Sequence, residues 1–276
     1  MTSAIYYEET QALVQTFSQE DQAYFQDLWD YFNFAGFLYE EKALREQVYN
    51  LALDFSQASG DGLTAKDYFG QDPKGMADQI IENMPKESTL SVLKYGAIVS
   101  GIVIFYRLLG DFASQAVLVL KPLVYLTDSI LGLLAVGLLF YLLRHLIFAE
   151  EKSKKALYEA VVLVLGIYFI SEIVGVRFLP TLGWLTVPSP WDTFLMTVAS
   201  AGLILWQWKE EFARAFIFPI LSFLVVGFLH RWTLAQGIQN SSMTIILPTV
   251  IIAAGLVIYY WFTIRALKKN KTEHVE

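Results

Sequence analysis

The sequence predicts an all-α protein of the membrane: a small cytosolic helical bundle followed by an α-helical membrane domain of about six transmembrane helices. Three observations lead there. Long apolar segments follow one another from Leu90 to Arg265, and each helical crossing needs roughly 20 mostly apolar residues to pass about 30 Å of hydrocarbon. Lys and Arg gather in alternate connections between those segments, as the positive-inside rule requires. The first 88 residues are instead polar and acidic, with apolar residues at helical spacing.

Within that head, Ser18 with Asp21 three residues later reads as an N-cap, and Phe25, Leu28, Trp29 and Phe32 then fall on one helical face up to a break at Gly36. A second helix is expected from about Tyr39 to Ser56, with Leu44, Val48, Leu51, Ala52 and Phe55 on its stripe. Leu13, Val14 and Phe17 suggest a further helix before both. Ser59 to Gly62 is a turn cluster. Thr64 with Asp67 suits a short capped helix, Gly70 a stop, and Asp72-Pro73 an N-cap followed by proline in the first turn. The helix after it presents Met76, Ala77, Ile80, Ile81 and Met84 on one face. Pro85 to Ser88 is a very short link to the first span.

Six segments are long and apolar enough to be expected to cross: Leu90 to Gly110, Leu123 to Ile147, Leu157 to Val176, Trp191 to Trp208, Phe212 to Trp232 and Met243 to Ile264. The last carries no charge. The Trp191 segment is the shortest, its uncharged core spanning about 24 Å at helical rise. Asp111 to Lys121 is expected to form a short interfacial helix ended by Pro122. With the amino terminus inside, the inner connections carry Lys86, Lys94, Arg144, Lys152, Lys154, Lys155, Lys209, Arg214, Arg265, Lys268, Lys269 and Lys271. The outer ones carry Arg107, Lys121, Arg177 and Arg231. Both termini are therefore expected in the cytoplasm. The resulting domains are 1–88 (head), 89–267 (membrane domain) and 268–276 (polar cytosolic tail).

Composition excludes several functions. The chain has no cysteine, which rules out disulfides, thiolate metal sites and a cysteine nucleophile. His145, His230 and His274 are far apart in sequence, which argues against a histidine-rich metal site. Through Ser88 there are 16 acidic and 5 basic residues against a net charge of −7 for the whole chain. A head this acidic is not a nucleic-acid binder, and it is expected to project from anionic lipid or to meet a basic partner. The chain opens without a basic start and apolar core, so the first spanning helix is expected to direct insertion. No phosphate-binding glycine loop or serine nucleophile motif is present, and no cofactor is implied.

The acidic helices, Gly62-Leu63-Thr64-Ala65, then Tyr68-Phe69-Gly70 and Asp72-Pro73 leading into Ala77-Asp78-Gln79-Ile80-Ile81, resemble the helical head of HAAS-type bacterial membrane proteins and of related multi-span families of Gram-positive bacteria. Such families join a short cytosolic helical domain to several membrane helices. The resemblance covers about the first 88 residues. It implies a signalling or accessory role in a bacterial cell membrane and supplies no catalytic residues.

Intramembrane charge defaults to a functional candidate. Lys121 and Asp128, placed on one helical face if the helix continues through Pro122, and Glu172 with Arg177 all fall in the outer half, where they are candidates for a polar cavity holding an ion or small ligand. Glu210-Glu211-Phe212-Ala213-Arg214 and Gly227-Phe228-Leu229-His230 superficially resemble CAAX-type intramembrane proteases. There the spacing from glutamate to arginine is one residue too short, a second histidine motif is missing, and Glu211 and His230 stand at opposite ends of one span, roughly 28 Å apart. Catalysis is therefore disfavoured. The expected role is signalling or accessory, with Met76, Ile80, Ile81 and Met84 as the helix face that docks a cytosolic or membrane protein partner; the alternative is a permease or small-ligand transporter. Small-residue spacings such as Gly132 with Gly137, or Ala253-Ala254-Gly255, permit close helix approach and a homo-oligomer.

Overall fold

Local signals that need no distant partner produce the head helices. The structure, a computed structural model, describes residues 1–70, 72–115, 117–178, 183–209 and 213–273, with the side chains of 172–178 and 267–273 outside the described set. Helix α1 (Ser3–Gln15) starts at Thr2, whose hydroxyl accepts from Ile5 N. Helix α2 (Gln19–Ala35) starts at Ser18, which accepts from Asp21 N; Asp21 in turn accepts from the buried Ala65 N at 2.7 Å. Asp21, in the first turn of α2, thus ties that helix to α4 (Ala65–Phe69), itself capped by Thr64. Helix α3 (Glu41–Gly60) and α5 (Pro73–Glu82) complete the head, the latter capped by Asp72 with Pro73 in its first turn. Gly70 leaves α4 at φ +84°, a conformation that glycine adopts without strain. The core is aromatic: Phe25, Tyr31, Phe32 and Phe55 are fully buried, with Leu28, Trp29, Leu44, Val48 and Ala52 around them.

The apolar helices follow: α6 (Thr89–Ser114), α7 (Pro122–Ile147), α8 (Glu151–Phe178), α9 (Trp191–Gln207), α10 (Ile217–Ala235), which a 3-10 turn at Ala213–Phe216 precedes, and α11 (Leu247–Glu273), which a π-helical turn at Ser242–Ile246 precedes. Among the described residues four helical stretches are long and apolar enough to cross a membrane: Thr89–Ser114, Pro122–Ile147, Ala213–Ala235 and Ser242–Ala266. Of the other two, α9 has 17 residues, and α8 has 28 but carries charge at its start and undescribed side chains at its far end.

The expected interfacial helix between Asp111 and Lys121 does not form. Helix α6 continues through Asp111 to Ser114, and Leu118–Leu120 is a strand, β1, paired antiparallel with β2 (Leu185–Val187) in the register Leu118↔Val187, Val119↔Thr186 and Leu120↔Leu185. The β-branched Val119 and Thr186 suit a strand, but the backbone partner lies some 65 residues away. Pro122 opens α7, the first-turn position where its missing N–H costs nothing.

The chain divides into two compact units. The first comprises Met1–Ser100 and Ile130–Gly175, and in it the head packs on the end of α7. Ile147 and Phe148 join the head core, Tyr31 lies 5.3 Å from Phe148 between ring centroids, and Phe34 and Phe37 lie 5.6 and 4.9 Å from Phe140. The link after α5 is itself paired: Glu40 N donates to Pro85 O and Glu87 N to Leu38 O, both at 2.9 Å. The second unit, Gly101–Ser129 and Val176–Glu276, holds β1, β2 and a core of Leu109, Phe112, Leu118, Met196, Ile220 and Leu224.

Candidate functional site

In the second unit, helix and strand termini bring charged groups together at low exposure. Because α6 extends past Gly110, Asp111 is a buried helical residue, and Lys121, directly after β1, donates to its Oδ1 at 2.9 Å. Gln115 Nε2 donates to the same oxygen at 2.9 Å. The Tyr125 hydroxyl, one turn into α7, lies 3.3 Å from Asp111 Oδ2 and equally far from the Val119 carbonyl. One turn further, Asp128 pairs with Arg107 of α6 at 3.7 Å. The Trp184 ring covers Lys121, 5.6 Å from Nζ to centroid.

A second knot joins α6, α9 and α10. Asp192, fully buried in the first turn of α9, accepts at Oδ2 from Arg231 Nε and Nη2 at 3.0 and 2.7 Å, and at Oδ1 from Thr193 N at 2.6 Å. A carboxylate in that turn also faces the favourable end of the helix dipole. Arg231 Nη1 donates to the carbonyls of Phe112 and Gly227 at 2.7 and 3.1 Å, and its guanidinium lies 3.7 Å over the Phe112 ring. Gly227 is required here, since a Cβ would collide with that ring.

Three cations therefore meet three carboxylates, Arg107 with Asp128, Lys121 with Asp111 and Arg231 with Asp192. Desolvating a single charge is costly, and pairing with additional hydrogen bonds is what makes it tolerable. Electrically balanced and internally bonded, the cluster clamps helix ends.

Of the residues expected to line a polar cavity, Lys121 and Asp128 both lie in this cluster, but with different partners. They do not share one helical face as expected, because Lys121 precedes α7 instead of continuing it through Pro122. Glu172 and Arg177 belong to α8, with side chains outside the described residues. Glu210 to Phe212 and His274 of the protease-like pattern lie outside the described residues as well. Sequence reasoning missed Asp111, Tyr125 and Asp192, and it read Arg107 and Arg231 for topology alone. The available signal was apolar sequence continuing beyond Gly110 through Phe112 and Ala113, which moves Asp111 from a loop into a helix.

In the first unit, Ile81 is buried in the head core, whereas Met76, Ile80 and Met84 are half-buried against it. With Glu46, Gln47 and Asn50 of α3 these three line a groove of 640 Å³.

Fold and site together define a helical protein which, among the described residues, has four helices long and apolar enough to span a membrane. Comparison with protein-family models, with curated proteins and with solved structures gives no match.

Proposed function

We propose that this chain is a six-span protein of a bacterial cell membrane, with both termini cytoplasmic and a HAAS-like head that acts in signalling or as an accessory subunit by binding a protein partner. One observation carries the reading: the head is packed on Phe140, Ile147 and Phe148 at the Arg144 end of α7, while its α3 and α5 edge stays open. A partner seated in the groove between Glu46 and Met84 touches helices that share a core with α7, so binding at the head changes contacts at a membrane helix. Half-buried methionines beside a carboxylate suit an amphipathic partner helix bearing apolar anchors and a basic residue.

The six-span topology draws support from one pairing. Asp192 at the start of α9 and Arg231 near the end of α10 are bonded to each other, as expected of two antiparallel spans.

The test is a mild-detergent pull-down with full-length protein and its Met76→Glu and Met84→Glu variants. A partner retained by the parent and lost from folded variants supports the reading; one retained equally by all three overturns it. A permease is the second reading, favoured by buried charge at Asp111, Lys121 and Asp128. In it, Asp128→Asn abolishes uptake of a small ion or polar solute into proteoliposomes, and uptake unchanged by that substitution removes it.

A further inference from the structure

We propose that the cleft where the head meets α6 and α7 binds a zwitterionic aminophospholipid, with an acyl chain between the helices and the headgroup against the head. The cleft has a volume of 650 Å³, within the range of about 300–1,000 Å³ usual for small-molecule sites. Its helix walls are apolar apart from the Tyr95 hydroxyl, formed by Val92, Tyr95, Gly96 and Val99 of α6 and by Leu133, Val136, Gly137 and Phe140 of α7. The head contributes Phe37 and Leu38, which are 43% and 47% exposed. The charged rim consists of Glu41, Arg45 and Glu87.

The rim identifies the occupant, and the walls give it room: a Cβ built on Gly96 or on Gly137 meets no atom within 4 Å. The rim offers two carboxylates and one guanidinium, the latter held by Glu41 at 3.4 Å and over the Tyr7 ring at 4.7 Å. Glu41 Oε1 already accepts from Ser3 at 2.9 Å as well as facing Arg45, so an ammonium is matched first to Glu87 and a phosphate to Arg45, whereas a purely anionic headgroup meets an excess of like charge. The inference rests on the membrane placement of α6 and α7, because the acyl chain enters from hydrocarbon.

The experiment reconstitutes the full chain in phosphatidylglycerol vesicles containing a trace of either phosphatidylethanolamine or phosphatidylglycerol with a photoactivatable acyl chain, then maps the labelled peptides. The expected result is labelling by the phosphatidylethanolamine probe concentrated at 92–99 and 133–140, reduced several-fold by Gly137→Leu and, from the opposite wall, by Gly96→Leu. Equal labelling of those stretches by the two probes overturns the proposal, as does labelling spread evenly over α6, α7 and α11. The even pattern leaves the membrane placement intact, whereas labelling of no apolar helix removes that placement too. The map of the unsubstituted protein decides the matter even if a variant fails to fold.

Discussion

At Arg231 one side chain serves four partners: the Asp192 carboxylate, two carbonyls and the face of Phe112. Its removal strands a fully buried carboxylate, a loss of about 3–5 kcal/mol for a broken buried pair. Arg231→Met is therefore expected to lower the thermal midpoint in detergent sharply, and Asp192→Asn in the same chain to recover part of the loss; equal midpoints for single and double variants would contradict the pairing. Asp30 in the head behaves in the opposite sense. Burial raises its carboxyl above the usual range, although Gln26 donates to it at 2.9 Å. A carboxyl raised in the folded state contributes stability below its unfolded value of about 3.9, and that contribution is lost as pH rises through the folded value. Asp30→Asn is thus expected to stabilise the head at pH 7 and to have no such benefit below about pH 4. Unfolding followed across that pH window checks both the sign and the position of the change. Three N-caps, at Ser18, Thr64 and Asp72, were legible because the accepting side chain and the donating N–H lie three residues apart.

At the scale of elements, two glycines set how closely helices approach. Gly227 admits Phe112 of α6 against α10, and Gly255 of α11 faces the Ser222 side chain and the Phe218 carbonyl of α10. Overpacking such contacts costs about 1–3 kcal/mol. Gly227→Ala and Gly255→Ala are each expected to destabilise by that amount, while Gly166→Ala, with open space at its Cβ inside α8, is expected to stabilise by about 0.5–1 kcal/mol; thermal unfolding of the three variants side by side tests the contrast. The Ala253-Ala254-Gly255 spacing, read as an opening for close approach, is thus used at Gly255 within the chain. Elements with strong periodicity were legible, as in the stripe from Leu44 to Phe55. Strand β1 was not, because three residues carry no period and its hydrogen bonds go to β2.

For the whole molecule, the absence of cysteine makes topology directly measurable. Single cysteines introduced at Ser3, Ser189 and Val275 report on the amino-terminal head, the connection between α8 and α9, and the tail. With six spans, Ser189→Cys reacts with an impermeant reagent added outside the cell, and Ser3→Cys and Val275→Cys react after the membrane is opened. With crossing by the four long apolar stretches alone, Ser189→Cys joins the protected group. Of the cationic residues assigned from the sequence to the outer side, Arg107, Lys121 and Arg231 are each paired with a carboxylate, so they add little free positive charge.

What the sequence determined by itself was set by local chemistry: helical periodicity and caps in the head, hydrocarbon-length apolar segments after it, and the bias of positive charge. Tertiary structure alone decided which charges meet. Asp111 and Lys121 flank a strand that needs β2 in order to exist, and Asp192 and Arg231 are 39 residues apart on different helices. The head's contact with Phe140 and Phe148 was hidden for the same reason, since an aromatic residue on an apolar helix reads identically whether it faces lipid or another ring. Pairings of this kind depend on how helices cross, and crossing follows from the shapes of side chains at several distant positions at once.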